Sequence, residues 1–284
     1  RRKFRARLQR WRRADGGRSG NSRPSSMLLA YLATFALFPG LAPPPSPDGL
    51  LSKVAELILR ARLRECESCE ISVDAQPSSL LGGAVDGVRV NGKRWCTPLK
   101  LSCDSLDVQV GQTSVDFSAL VTKQRIDLKR PAEGSATIKF TAEDWDNFLL
   151  HPGFKEIVTR RRRTDPTPSD FAFSRKGGTR MLPSAGSIAF PVRWDGATLM
   201  ATLSQRADGR VECAATCSKA PEGSPAWQGD SPAGPWLAQT FENLVLDLDG
   251  CELSFRKLRV EPSELLVLEL GVCVRSFPSL DINF

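Results

Sequence analysis

The chain has 284 residues, 41% apolar and 25% charged, which suits one large domain or two small ones with a sizeable core. Its net charge of +7 would fit a nucleic-acid partner, but residues 1–27 alone hold ten Lys and Arg against one acid, Asp15, and the rest of the chain comes to −2. A near-neutral body with 7% aromatic residues offers neither a phosphate-tracking surface nor a stacking platform, which argues against nucleic acid as a partner.

In chain order, Arg1–Arg13 (RRKFRARLQRWRR) is an arginine-rich, acid-poor leader, and Met27–Phe38 is an apolar run of about a dozen residues. That run falls short of the roughly 18 residues of a membrane-spanning helix. A transit-like stretch followed by an export-like stretch reads as a two-stage address, chloroplast then thylakoid or envelope; a basic arm with a weak membrane-surface anchor fits the same residues. Gly40–Pro47 (GLAPPPSP) is a Pro-rich linker, so residues 1–47 are expected to be a largely disordered targeting segment and 48–284 the folded domain, with halves at 48–158 and 186–284.

Residues 48–64 carry a helical period. Leu50, Val54, Leu57, Ile58 and Ala61 fall on one face, to be docked or to close a groove, and Lys53, Glu56, Arg60 and Arg64 lie opposite. The period then drops to two: Ile71, Val73 and Ala75; Val88 and Val90; Leu99, Leu101 and Cys103; Leu106, Val108 and Val110; Ile126 and Leu128; Ile138 and Phe140. Asn91-Gly92 is a hairpin signal. Thr141, with Asp144 three residues on, can cap a helix whose inner face is Trp145, Phe148 and Leu149, ended by Pro152-Gly153. Residues 159–185, which include Arg160, Arg161, Arg162 and Arg163, read as a loop. A three-strand meander follows (Ile188–Val192, Leu199–Leu203, Val211–Cys213), then a Pro/Gly/Ser-rich surface insertion at 218–235. The last strands contain Leu244–Leu248, Leu253–Phe255 and the long alternation Leu266, Leu268, Leu270, Val272, Val274. Sustained alternation implies antiparallel sheet with one buried face. The fold class is therefore α+β, mainly antiparallel β, and one curved or elongated sheet with helices across it fits.

Catalytic signals are missing. His151 is the single histidine, it sits beside Pro152 at a helix end, and no nucleophile motif accompanies it. Eight cysteines spread over some 200 residues are too sparse for a disulfide scaffold. Cys66-x-x-Cys69 with Cys213-x-x-x-Cys217 leaves a zinc site, disulfides and buried thiols all open. Gly82-Gly83 precedes a strand, the wrong context for a phosphate loop.

Several stretches resemble a known family. They are LLGGAVDGVRV from Leu80, SLDVQV from Ser105, VDFSAL from Val115, the strand that runs into TAEDWDNFLL at Thr141, and FENLVLDL from Phe241 to the C-terminal LDINF. Together, over about residues 50–284 apart from 218–235, they are similar to the LmeA-like phospholipid-binding family. The resemblance implies an elongated sheet with a tubular-lipid-binding-like apolar groove for acyl chains, action at membranes, no cofactor, no metal and no catalytic residue to carry over. It also strengthens the plastid address.

On that basis the expected groove lining is Val54, Leu57, Ile58, Val88, Val90, Leu99, Leu101, Val108, Val110, Phe140, Trp145, Phe148, Leu149, Leu266, Leu268 and Leu270. Arg160–Arg163 are the candidate head-group contacts. The expected partners are a phospholipid or glycolipid and a membrane surface. A structural or assembly subunit docked on a membrane complex, with a protein partner, is the alternative from another class. An enzyme centred on His151 or the thiols is a third.

Overall fold

A computed structural model describes residues 47–76, 83–116, 127–165, 168, 170–219, 231–248 and 250–276. The leader, its apolar run and most of the 218–235 stretch lie outside the described residues. Pro45–Phe284 forms one compact unit. No helix among the described residues is long and apolar enough to cross a membrane.

The fold is mostly antiparallel sheet with a few helices, and both sheets are open. In chain order the elements are α1 (Pro47–Arg62), β1 (Ser68–Asp74), β2 (Ala84–Val85), β3 (Gly87–Cys96), β4 (Ser102–Val110), β5 (Thr113–Asp116) and β6 (Asp127–Phe140). Helices α2 (Ala142–Leu150) and α3 (Pro152–Thr164) come next, then β7 (Phe171–Phe173), β8 (Arg180–Leu182), β9 (Ser187–Trp194), β10 (Ala197–Gln205) and β11 (Val211–Lys219). Helix α4 (Ala233–Glu242), β12 (Val245–Leu248), β13 (Cys251–Val260) and β14 (Leu266–Ser276) complete the chain. There are two sheets rather than the single one expected. A nine-stranded sheet runs β1-β3-β4-β6-β14-β13-β12, with β2 and β5 beside it, and a five-stranded sheet holds β11-β10-β9-β7 with β8 on β9. The register of β14 on β6, Leu266 opposite Phe140 through Val274 opposite Ala132, joins the two expected halves in one sheet.

Between the sheets lies a filled aromatic core. Trp145 of α2 stacks on Phe148 and Phe241, Phe154 of α3 on Phe241, and Trp236 of α4 packs edge-on to Trp194 of β9. Thr141 caps α2 as expected: its hydroxyl accepts from Asp144 N–H, and the Asp144 carboxylate accepts from Thr141 N–H.

The structure corrects several local expectations. Asn91-Gly92 makes no turn and lies inside β3, opposite Asp107 and Leu106. The β3–β4 turn is Thr97–Leu101, where Lys100 adopts a left-handed φ of 63°, so Leu99 is a turn residue rather than a strand residue. Residues 159–164 belong to a helix: Phe154 and Val158 are buried on one face, and the arginines in its last turn suit the negative end of the helix dipole. Phe171–Phe173 and Arg180–Leu182, also assigned to that loop, are short strands on β9. The ends of the expected 218–235 insertion are ordered elements: Ser218 and Lys219 close β11, and residues 233–235 open α4, whose Trp236, Leu237 and Phe241 are buried. Pro235 sits in its first turn, where a missing N–H costs nothing. Gly234 lets the helix close on β11, because a Cβ there would fall 2.3 Å from the Cys213 carbonyl oxygen.

Candidate functional site

The registers place one apolar row after another across the large sheet. Ile71, Val90, Val108, Ala136, Leu270 and Phe255 follow one another from β1 to β13. Beside them run Val73, Val88, Val110, Gly134, Val272, Leu253 and Leu246. A third row is Cys69, Gly92, Leu106, Ile138, Leu268 and Leu258. Directly opposed side chains on one face stand about 5 Å apart, so the first row is continuous, and the other two are interrupted only at Gly134 and Gly92.

The two ends of these rows differ. On β14 they close under the aromatic core, where Leu268, Leu270 and Val272 are 2–4% exposed; on β13 Leu258 is buried, and Phe255 and Leu253 are partly buried against the same core. Val108, Val110 and Ile138 are partly buried against that core. Further out, Ile71, Val73, Val88, Val90 and Leu106 are only half-buried. The result is an apolar face, three strands wide on β1, β3 and β4, that opens away from the closed core.

Two features shape this open end. Trp95 lies over Gly92, since a Cβ on Gly92 would fall 2.1 Å from the indole ring, and the indole N–H donates to the Ser68 carbonyl at 2.8 Å. Only glycine lets that ring lie flat on the strand. Helix α1 covers the outer edge of β1: the Ser52 hydroxyl accepts from Val73 N–H at 3.1 Å, and the Arg60 guanidinium donates to the Cys69 carbonyl at 3.1 Å. An edge strand's free backbone groups need polar partners, so α1 turns Ser52 and Arg60 toward the sheet. Leu57 and Ala61, expected on the docked face, therefore point outward, with Leu57 71% exposed.

The expected site residues fall into separate groups. Val88, Val90, Val108 and Val110 come together on the half-open face, and Leu101 packs against the main core. Phe140, Trp145, Phe148, Leu149, Leu266, Leu268 and Leu270 sit in the closed core, at most 4% exposed. Leu57 is on the outer side of α1 and Leu99 is 53% exposed in its turn. The side chains of Val54 and Ile58 lie outside the described residues. Ile71, Val73 and Leu106 belong to the face although they are not among the expected lining; their alternation in step with Val88, Val90 and Val108 is the signal that could have found them.

The arginine run is far from this face. Helix α3 packs on β12, the sheet edge opposite β1. Arg160 pairs with Glu156, and Arg161 with Asp165 and Gln239.

The reverse face of β1, β3, β4 and β6 carries an open trough of about 580 Å³ lined by Glu67, Glu70, Asn91, Lys93, Asp107 and Lys139, among others. Its charges are of both signs, and Lys139 is held by Glu261 at 2.9 Å. Lys139 and Arg259, hydrogen-bonded to Glu261, keep that carboxyl below its usual range. Mixed charge gives this face no preference for an anionic group.

Neither thiols nor histidine form a centre. Cys66 and Cys69 lie at β1, whereas Cys213 and Cys217 lie on β11 in the other sheet, so the four thiols expected as one zinc option are not brought together. All eight cysteines are unpaired, and burial pushes the Cys103 and Cys213 thiols up to about 12, which makes them poor nucleophiles. His151 plays a structural part, because its Nδ1 accepts the Gly153 N–H at 3.2 Å and caps α3. Among the described residues no group of three or more His, Cys, Asp or Glu could hold a metal ion.

The sequence model of a family described as LmeA-like phospholipid-binding matches residues 48–268, more than three quarters of the chain. The chain belongs to that family. The LmeA-like match opens in α1 and closes in β14, so it takes in the half-open face, the helix that flanks it and both sheets. Lipid binding is the family's described property, and an apolar sheet face is a physical basis for it. Comparison with curated proteins and with solved structures gave no match.

Proposed function

We propose that this protein binds a phospholipid, or another acyl lipid such as a glycolipid, by laying its chains on the half-open face of β1, β3 and β4. The observation that carries the reading is the set of rows that are closed at β14 and half-exposed, away from the core, at Ile71, Val73, Val88, Val90 and Leu106. Each methylene that leaves water for such a face contributes about 0.8 kcal/mol, so binding needs no special polar chemistry. The role is non-catalytic and is exercised at a membrane surface. The composition of residues 1–47 supports a chloroplast address, at thylakoid or envelope. An assembly subunit would offer the same face to a protein instead.

The test is lipid analysis of the purified full chain and of a Val73→Asp/Val88→Asp variant, which places two carboxylates on directly opposed, half-buried positions of the face. Wild type is expected to retain phospholipid in native and extracted mass spectra, and the variant to lose it while keeping its circular dichroism. Wild type without lipid, or a variant that holds as much, would overturn the proposal.

A further inference from the structure

Helix α1 has a second face that its contact with β1 leaves free. The described side chains exposed on it and just beyond its end are Lys53, Leu57, Ala61, Arg64 and Glu65, whereas Arg60 reaches back to β1. Lys53, Leu57, Ala61 and Arg64, at i, i+4, i+8 and i+11, form one stripe along the helix. The inward positions are Ser52, Ala55, Glu56 and Leu59, all half-buried. The stripe therefore shows water a leucine at 71% exposure, an alanine and two cations, Lys53 and Arg64. Of the nearby acids, Glu56 is turned inward and pairs with Arg60 at 2.9 Å, and Glu65 pairs with Arg64 at 3.4 Å, leaving the Arg64 side chain more than half exposed.

A large apolar side chain set among cations on a helix surface has the chemistry of an interfacial helix, whose apolar residue enters the acyl boundary while Lys and Arg meet anionic head groups. A neutral bilayer or an acidic protein would satisfy only one half of the pattern. We propose that the Lys53–Leu57–Ala61–Arg64 stripe is the surface on which the protein rests on an anionic bilayer. The proposal builds on the lipid-binding reading above and specifies its membrane: with α1 on the bilayer, the β1 edge of the half-open face stands beside the lipid source. The distant α3 arginines take no part.

The test uses the full chain with phosphatidylcholine vesicles, with and without phosphatidylglycerol, and reads vesicle flotation together with acetylation at Lys53 and at the exposed Lys257 on β13. In vesicle-bound protein, Lys53 is expected to be shielded and Lys257 not. Lys53→Gln/Arg64→Gln is expected to weaken binding to the anionic vesicles on the order of 30-fold, at about 1 kcal/mol per cation. The conservative Leu57→Met is expected to bind like wild type and Leu57→Asp to float poorly, so a folding defect would show as equal loss in both. Equal labelling of Lys53 in bound and free protein would overturn the assignment and leave any basic leader as the anchor. So would shielding of Lys53 that grows with protein concentration in the absence of vesicles, which would mean that a second copy covers the stripe. The two readings can fail separately: a chain that carries no lipid but shields Lys53 on vesicles refutes the groove and keeps the stripe, and the reverse result does the opposite.

Discussion

Gly92 shows how one residue decides the open end of the sheet. The Trp95 indole occupies the space a Cβ would need, at 2.1 Å, and fixes itself with a hydrogen bond to Ser68. Gly92→Ala should cost about 1–3 kcal/mol, the usual range for overpacking a filled site. The cost should shrink in a Trp95→Ala background, where the ring is gone. Chemical denaturation of the two single variants and the double variant measures this, and strictly additive losses would show that the ring is not what glycine accommodates. The same glycine explains why the hairpin signal misleads. Asn-Gly in an alternating sequence signals a two-residue turn, but here glycine is needed for a side-chain approach from three residues away. Local sequence holds no trace of that contact. The alternation of Val88, Val90, Leu106, Val108 and Val110 was legible because each strand declares its own faces. Which of those positions stay half-open was not, since it depends on where the core stops.

At the scale of elements, caps were easier to read than helices. Thr141 and Asp144 announced α2, whereas α3 and α4 were hidden behind proline and glycine that read as breaks. Both prolines lie in a first turn, at Pro152 and Pro235, where they start helices. His151 sits at the junction, ending α2 and capping α3 through its unprotonated Nδ1. Burial lowers its pKa from the ordinary 6.5, so the folded protein favours the neutral imidazole. The stabilising effect is therefore complete above 6.5 and disappears as pH falls through the lowered folded-state value, where Nδ1 takes a proton and cannot accept. About 1 kcal/mol, the usual worth of an N-cap, should go with it. His151→Asn keeps a capping side chain without a titration, so this part of the stability difference between about pH 7.5 and about pH 5 should be absent in the variant. Denaturation midpoints of both proteins at the two pH values check this.

Over the whole molecule, the nine-stranded sheet serves two purposes along a single set of apolar rows. Toward β13 and β14 the rows are the floor of a filled aromatic core, and toward β1 and β3 they are a surface. The family, the fold class and the alternation were readable from sequence. The split of the expected lining between a sealed core and an open face was not, because Leu268 and Val90 look alike as residues and differ only in what lies above them.

That gradient should be visible in time as well as in space. Amide hydrogens survive against deuterium in proportion to the free energy of the opening that exposes them, and segments with little buried apolar contact open first. The strands β1 and β3 should therefore exchange well before β14, and bound lipid should slow β1, β3 and β4 and not β14, since a ligand protects what it covers. Exchange monitored by mass spectrometry with and without lipid tests this; uniform exchange across the sheet would contradict it. The part of the molecule built to accept a ligand would then be the part that breathes, with the sealed end as its anchor.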